Sequence, residues 1–306
     1  MRILAAITAH VFKALQLCSQ IIDRTGADRL PRFCDGQRRP NEGGGFVSNI
    51  YRTPDEAFSD LPDFPYQPNY LEWDGLRTHY VDEGPKGAPV ALMLHGEPTW
   101  CYLYRKMIPP MLAAGYRCVV PDHIGCGLSE KPADDRYDYT LQRRVEDFGR
   151  LMDELQLLDI NLVVHDWGGM IGLAWAVRNP ERIKRLVILN TAAFHLPKTK
   201  RFPWQLWMVR DTPFGPLMVR GLNAFARGAA HLACTRKRLS KEVRDAYCAP
   251  YDSWRDRIAT LRFVQDIPLR PGEPGYDIVS DTAARLGLFR DRPVLICWGD
   301  RDFVFD

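Results

Sequence analysis

The residues best suited to chemistry lie in the string Val163–Met170, which is VVHDWGGM. It closes an apolar run typical of a buried strand and opens a helical pattern, which is the form of a nucleophile elbow. Asp166 stands at the nucleophile position, with Gly168 two places later and Val164 where a first glycine is usual. Because a carboxylate with an ordinary pKa of about 3.9 is ionised at neutral pH, it suits attack on an alkyl carbon or a strained ring. The alternative is an aspartate that only caps the helix.

Short apolar runs alternate with helical patterns from Asn69 onwards, as expected of a mostly parallel sheet with helices on both faces. The predicted fold class is therefore α/β. We expect an antiparallel hairpin at Tyr70–Trp73 and Arg77–Asp82. Buried strands are then predicted at Val90–Leu94, Tyr116–Pro121, Asn161–His165, Lys184–Leu189 and Val294–Trp298, and helices at about 100–114, 140–156 and 168–178.

Two stretches depart from this alternation. Residues 1–65 combine an apolar start with a segment rich in Gly, Pro and Arg, and we interpret them as an N-terminal extension. Between residues 195 and 285 the strand signal disappears, and aromatic residues lie on helix-like segments broken by prolines. We predict that 195–285 is a helical cap inserted into a core formed by residues 66–194 and 286–306.

Composition and charge exclude several classes of function. The chain has 306 residues, 46% of them hydrophobic, and a formal net charge of +3, so it is not disordered as a whole and no nucleic-acid partner is indicated. Eight cysteines are scattered without a C-x-x-C pair or a zinc-like cluster, which favours a reduced, cytoplasmic chain without a metal. The sequence contains no nucleotide or flavin motif, so no cofactor is predicted.

The apolar start has the periodicity of one amphipathic helix. Residues 1–22 place their apolar side chains at spacings of three and four. Such a helix can dock on its own domain, or it can form a peripheral membrane contact or bind a partner protein. No apolar run free of charges reaches the roughly 18 to 20 residues of a membrane span.

The elbow and a second string, Leu94–Trp100 (LHGEPTW), together resemble the α/β-hydrolases. The resemblance implies an α/β-hydrolase fold, in which the backbone N–H groups after the H-G pair and after the nucleophile converge on a developing anion. These donors belong to Glu97 and Trp167. The indole N–H of Trp167 is a further donor that suits a halide or a carboxylate oxygen.

The same resemblance implies a triad acid and a general-base histidine. In this family the acid often stands three residues after a glycine in the loop that follows the last strand, which selects Asp302 over Asp300 and Asp306. The histidine should come later still and is absent up to Asp306, so we expect a truncated chain that lacks the C-terminal part of the fold. Other histidines lie in the hairpin, a neighbouring loop and the cap, and are poor replacements: His79, His123, His195 and His231.

From about residue 66 to 306 the chain is similar to the haloalkane-dehalogenase-like branch of the α/β-hydrolases. Within it, the strings PDHIGCGLSEKP, LNTAAFHLP, GLNAFARGAA, APYDSW and CWGDRDFVFD resemble the β-lactone decarboxylases of bacterial long-chain olefin biosynthesis. This resemblance implies a small hydrophobic substrate, a cis-3,4-dialkyl β-lactone that gives a cis-alkene and carbon dioxide, and other olefin-pathway enzymes as partners. Glu97 departs from the decarboxylase pattern, which tends to have Asn there.

Three functions therefore stay open. As a decarboxylase, the chain would use Asp166 as nucleophile, Glu97 and Trp167 to stabilise the anion, and Asp302 to orient a histidine beyond Asp306. As a haloalkane dehalogenase, it would form an alkyl ester on the same aspartate and release an alcohol and a halide. Without the histidine it would be an inactive fragment or a binding module. The substrate or halide would be held by tryptophans of the predicted cap: Trp204, Trp207 and Trp254.

Overall fold

A seven-stranded, mostly parallel sheet organises the computed structural model, which describes residues 49–234, 236–302 and 304–305. The strands are β1 (Ile50–Tyr51), β2 (Asn69–Trp73), β3 (Leu76–Glu83), β4 (Val90–Leu94), β5 (Arg117–Pro121), β6 (Lys131–Pro132), β7 (Ile160–Asp166), β8 (Ile183–Thr191) and β9 (Val294–Cys297). The order in the sheet is β2-β3-β5-β4-β7-β8-β9, and β1 pairs separately with β6. The hairpin β2–β3 and the pair β3–β5 are antiparallel, whereas the pairs from β5 to β9 are parallel.

The helices connect these strands and continue through the residues between β8 and β9. They are α1 (Ile108–Ala113), α2 (Leu141–Glu154), α3 (Trp167–Ala176), α4 (Trp204–Asp211), α5 (Ala224–Leu232), α6 (Lys241–Cys248), α7 (Ile258–Gln265) and α8 (Tyr276–Arg285). Shorter 3₁₀ turns occur at Asp55–Phe58, Cys101–Tyr104, Pro180–Arg182 and Leu286–Phe289, and a π-helical turn at Leu217–Gly221.

The predicted α/β class is confirmed, and the hairpin and the five apolar strands are present with ends shifted by no more than two residues. The expected burial is wrong for β9, whose residues are all exposed. The helix predicted at about 100–114 is wrong as one element. The chain there forms the 3₁₀ turn Cys101–Tyr104 and then the short α1. Pro109 and Pro110 explain the break, because a residue without an N–H fits the first turn of a helix and not its interior.

Two apolar cores lie on opposite faces of the sheet. Leu92 and Leu94 of β4 pack into the core that contains α2 and α3, whereas Ala91 and Met93 face a second core with Trp100. Successive side chains of a strand point to opposite faces, so one continuous apolar run supplies both cores. This burial on both faces is why β4 has no polar residue.

Part of the predicted N-terminal extension packs on the second core. Phe58 and Phe64 each lie with ring centroids 5.5 Å from that of Trp100. The range 1–65 therefore includes a segment that contributes to the fold. Residues 1–48, with the amphipathic pattern of residues 1–22, lie outside the described part of the chain.

The range 195–285 contains five α-helices and the π-helical turn, and its described residues include no strand. Leu206 and Val209 of α4 pack against Leu261 and Val264 of α7 in an apolar cluster of their own. The description of this range as a cap, and its boundaries, stay predictions. No helix in the described ranges combines the length and the apolar character that crossing a bilayer requires.

A buried carboxylate, Asp122, contacts the loops that follow β4 and β5 and the strand β3. Its Oδ1 accepts a hydrogen bond from the Cys101 N–H at 2.7 Å, and its Oδ2 accepts one from the Leu128 N–H at 3.0 Å and lies 2.7 Å from His79 Nδ1. Burial raises the pKa of this carboxyl, but the hydrogen bond and charge of His79 outweigh burial and lower the pKa to about 2. The structure thus gives Asp122 a structural role.

Replacing Asp122 with Asn should lower the free energy of unfolding by about 3 kcal/mol, because a buried pair loses its charged partner. The folded-state pKa of about 2 lies below the ordinary 3.8, so the wild-type stabilisation is present above pH 4 and is lost as the pH falls towards 2. Urea unfolding between pH 7 and pH 2 measures both effects. The exposed Asp74, which pairs with Arg143, is the control, and Asp74→Asn should change stability much less.

Candidate active site

Asp166 stands at the junction of β7 and α3 in a strained backbone conformation, with φ 52° and ψ −129°. Its Oδ1 accepts two hydrogen bonds, from the Trp167 N–H at 2.6 Å and from the Glu97 N–H at 2.7 Å. Among the described residues no hydrogen bond to the other oxygen, Oδ2, is present. One oxygen of the carboxylate is therefore held by the backbone, and the other is left for chemistry.

Three glycines make this close approach possible. A Cβ at Gly96 would lie 2.2 Å from Asp166 Oδ1, and one at Gly168 would lie 2.1 Å from the carbonyl oxygen of Leu94. A Cβ at Gly172 would lie 3.1 Å from Val164 Cγ1. Val164 stands where a first glycine is usual, and its side chain fits because Gly172 of α3 has no side chain to occupy the same space.

Asp302 is oriented by a residue that the sequence analysis missed. Asn190, near the end of β8, donates from Nδ2 to Asp302 Oδ2 at 3.0 Å, and its Oδ1 accepts from the Gly299 N–H at 2.8 Å. The other oxygen of Asp302 accepts from the Val304 N–H at 2.8 Å. A polar residue at the carboxyl end of a central parallel strand was the available signal for Asn190, because side chains meet at that edge.

The carboxyl groups of Asp166 and Glu97 differ in their hydrogen-bond partners. Burial raises the pKa of Asp166, while His165 and the N–H groups of Trp167 and Glu97 act against burial, and the charge of Asp302 adds to it. Glu97 is only 8% exposed, and neither Oε1 nor Oε2 accepts a hydrogen bond of ordinary geometry. Burial raises the pKa of Glu97 well above its ordinary value.

Aromatic rings pack together at Trp167, the residue that follows Asp166. The Trp167 ring lies edge-on to the Phe263 ring with centroids 5.1 Å apart, and the Arg144 guanidinium lies 3.8 Å from the Phe263 centroid. Both rings are nearly fully buried. Trp167 and Glu97, the two predicted anion-binding residues, are thus brought together at Asp166.

Among the described residues, the three tryptophans predicted to bind substrate have no ring contact with the residues at Asp166. Trp204, Trp207 and Trp254 are 49%, 53% and 48% exposed, and none has a ring contact with Trp167. Trp254 instead receives the Arg220 guanidinium at 4.7 Å from its ring centroid. Tryptophan side chains at the surface of helices are not distinguished from pocket residues by sequence alone, so their role in binding stays a prediction.

Three of the four histidines considered as replacement bases have other partners, and the fourth, His231, is an exposed residue of α5. His79 pairs with Asp122, His123 Nε2 lies 2.9 Å from the His95 carbonyl oxygen, and His195 Nε2 lies 2.8 Å from Ser280 Oγ. In the described residues no histidine side chain is hydrogen-bonded to the Asp166 carboxylate. Burial also lowers the pKa of His123 well below its ordinary value, so this imidazole is neutral.

One group of described side chains has ligand atoms close enough for a metal ion. His79, Cys101 and Asp122 are buried with these atoms within 4.8 Å of one another. Both carboxylate oxygens of Asp122 already take part in hydrogen bonds to His79 and to the backbone of two loops. Internal hydrogen bonding thus accounts for the cluster, and no other described group meets the spacing that metal ligands need.

Comparison with known proteins agrees with this geometry. The sequence profile of the alpha/beta hydrolase fold matches residues 89–306, which includes the elbow, the loop of Glu97 and Asp302. The chain belongs to the α/β-hydrolase family. The predicted α/β-hydrolase fold is thereby confirmed.

Decarboxylases and haloalkane dehalogenases are among the relatives to which this α/β-hydrolase is similar. It is 54% identical over 243 residues to a cis-3-alkyl-4-alkyloxetan-2-one decarboxylase of Shewanella oneidensis (79% of this chain, 76% of the relative) and 48% identical to one of Xanthomonas campestris (80% and 83%). A haloalkane dehalogenase of Psychrobacter cryohalolentis is 38% identical (83% and 82%). The solved haloalkane dehalogenase DpaA of Paraglaciecola agarilytica NO2 superposes with a TM-score of 0.69 at 34% identity, covering 84% of each chain.

Substitution of Gly168 with Ala should destabilise the hydrolase by about 3 kcal/mol or abolish folding, because the added Cβ meets backbone at 2.1 Å. Gly228 of α5 is the matched control. A Cβ there meets nothing within 4 Å, and Gly228→Ala should stabilise the helix by about 0.5 to 1 kcal/mol. Thermal unfolding of both variants makes the comparison, and equal stability of the two would contradict the packing described for the elbow.

Proposed function

We propose that this hydrolase decarboxylates cis-3,4-dialkyl β-lactones to cis-alkenes and carbon dioxide. The observation that carries the proposal is the Asp166 carboxylate, whose Oδ1 is held by two backbone N–H groups while Oδ2 has no partner among the described residues. A nucleophile held in this way needs no base before it attacks. The choice of a lactone is supported by the greater identity to the two decarboxylases than to the dehalogenases.

A balanced route is consistent with this geometry. Oδ2 of Asp166 bonds to the saturated ring carbon that bears the ring oxygen. The bond between that carbon and the ring oxygen breaks, and its electron pair stays on the oxygen, which becomes part of a carboxylate. The C–C bond to that carboxylate then breaks, its electrons form the alkene as carbon dioxide leaves, and the aspartate regains its own pair. Inversion followed by antiperiplanar elimination keeps both alkyl groups on one side, so a cis lactone gives a cis alkene. Attack at the carbonyl carbon is the other open route.

The two N–H donors act on the same aspartate during this chemistry. When Oδ2 forms its bond, Oδ1 becomes the carbonyl oxygen of an ester and keeps the hydrogen bonds of Glu97 and Trp167. The indole N–H of Trp167 is the proposed donor to the charge that develops on the leaving carboxylate. Asp302, held by Asn190, is the proposed triad acid. The helices of 195–285 form the proposed cap over the alkyl chains, with Trp204, Trp207 and Trp254 as its candidate contacts.

Haloalkane dehalogenation is the second candidate. It is supported by the dehalogenase of Psychrobacter cryohalolentis and by the superposition with DpaA. The two reactions share the attack by Asp166 but differ in their later steps. Dehalogenation consumes water to release the ester, whereas lactone decarboxylation needs neither water nor a net proton. Products therefore separate the two functions.

Olefin biosynthesis is the pathway that this activity would serve, and other enzymes of that pathway are the proposed partners. We also propose a cytoplasmic location with a peripheral membrane contact through residues 1–22. The amphipathic periodicity of that segment supports the contact. Deletion of residues 1–45 should release the protein from membrane fractions without loss of turnover, and unchanged fractionation would remove this part of the proposal.

Incubation of the purified protein with a synthetic cis-3,4-dialkyl β-lactone should give alkene and carbon dioxide, measured by gas chromatography. Asp166→Asn should lower the rate by about 10⁴-fold or more while the protein stays folded, because the nucleophile is lost. Asp153→Asn, at an exposed carboxylate paired with Arg182, is the matched control and should keep full activity. A fully active Asp166→Asn would exclude the nucleophile, and halide release from a haloalkane without alkene formation would favour the second candidate.

A further inference from the structure

The Glu97 carboxyl lies within electrostatic range of Asp166, whose charge raises the pKa of Glu97. The backbone N–H of Glu97 is 2.7 Å from Asp166 Oδ1, so the two residues meet in one buried site. The side chain is more than nine-tenths buried, and both carboxyl oxygens lack a hydrogen-bond partner of ordinary geometry. The predicted role of Glu97 used only its backbone, which leaves this side chain unexplained.

The partners of the two carboxyl groups decide which of them holds a proton. Two carboxylates within electrostatic range in a buried site cannot both ionise at low cost, and the proton goes to the group whose charged form is less well stabilised. Asp166 accepts two backbone hydrogen bonds, whereas Glu97 accepts none of ordinary geometry. Hydrogen bonds to a carboxylate favour its ionised form, so Asp166 is the anion and Glu97 the neutral acid.

The other groups that face Glu97 agree with this assignment. Burial raises the pKa of Glu97 well above its ordinary value, and the charge of Asp166 raises it further. The nearby Thr260 hydroxyl, whose contact with Glu97 lies outside ordinary hydrogen-bond geometry, and the charge of Arg144 act in the opposite direction. Arg144 donates from Nη1 to the Tyr139 carbonyl oxygen and pairs with Asp266, while its Nε and Nη2 have no hydrogen-bond partner. Its ion pairs among the described residues do not include Glu97.

The remaining neighbours carry no charge that could stabilise an ionised Glu97. Cys126 and Tyr251 are buried beside it, and burial raises the pKa of both groups well above the neutral range. They therefore stay neutral at the pH at which Asp166 works. In the part of the chain that the structure describes, Arg144 is the cation that acts on Glu97.

We propose that the neutral carboxylic acid of Glu97 donates a hydrogen bond to the substrate atom on which negative charge develops when Asp166 attacks. With the Trp167 indole it forms a pair of donors for the leaving carboxylate of the lactone. The proton stays on Glu97 throughout, so no bond to hydrogen breaks and no base is needed. This inference rests on the proposed function, and it assigns the Glu97 side chain a catalytic role that its backbone N–H does not have.

The proposal fixes the sign of the pH dependence. The donor exists only while Glu97 is protonated, so the rate should fall as the pH rises through the raised pKa of this group. Ionisation would also place a second negative charge within electrostatic range of the attacking Asp166. Glu97→Gln keeps a neutral donor of similar shape that does not titrate. Its rate should therefore stay within about tenfold of wild type at neutral pH and lose the alkaline decline.

The experiment records alkene formation from a cis-3,4-dialkyl β-lactone between pH 6 and pH 10 for wild type, Glu97→Gln and Glu97→Leu. Glu130→Gln is the matched control, because Glu130 is equally buried but accepts hydrogen bonds from Arg52 and the Arg77 N–H. The control should keep the wild-type profile, and Glu97→Leu should lose at least about tenfold in kcat with little change in KM. The proposal is overturned if Glu97→Gln keeps the alkaline decline or is inactive at every pH.

A second readout does not depend on turnover. The infrared difference spectrum of wild type minus Glu97→Gln at pH 7 should contain the C=O stretch of a protonated carboxylic acid. A carboxylate signal in its place would overturn the proposal even if the enzyme is active. If the protein makes no alkene, the proposed function fails, and the infrared result still decides the protonation state of Glu97.

Discussion

Two backbone N–H groups on one oxygen of Asp166 are the constraint on which the rest of the structure depends. They come from loops that follow different strands, so the carboxyl ends of β4 and β7 must stay in register for both bonds to form. The parallel pairing of these strands, with Leu94 opposite Val164, supplies that register. The glycines at the turn then allow the loops to approach within hydrogen-bond distance.

Beneath the site, a second set of polar contacts holds the loop that carries Glu97. His95 Nε2 accepts a hydrogen bond from the His123 N–H at 3.2 Å, and the His123 ring in turn lies 2.9 Å from the His95 carbonyl oxygen. Asp122 joins this set through the Cys101 N–H. Because these groups are buried and paired, a shift of the loop would leave polar atoms without partners in an apolar core. These buried contacts thus fix the position of the Glu97 N–H.

The sequence predicted the scaffold better than the surroundings of the nucleophile. Apolar runs such as Val90–Leu94 identify buried strands because burial on both faces excludes polar residues, and the elbow is a local pattern. Asn190 was missed because its partner Asp302 lies 112 positions away, and only the sheet brings them together. The missing partners of the Glu97 carboxyl likewise depend on contacts across the fold, which spacing along the chain does not record.

The glycines of the elbow also bear on how this scaffold can acquire new substrates. A single added methyl group has no room at Gly96 or Gly168, so variation at the turn is confined to residues whose side chains point away from it. The helices between β8 and β9 have half-exposed tryptophans and open space at Gly228. Divergence between enzymes that share this elbow is therefore expected to accumulate in those helices, where a change of shape leaves the Asp166 carboxylate in place.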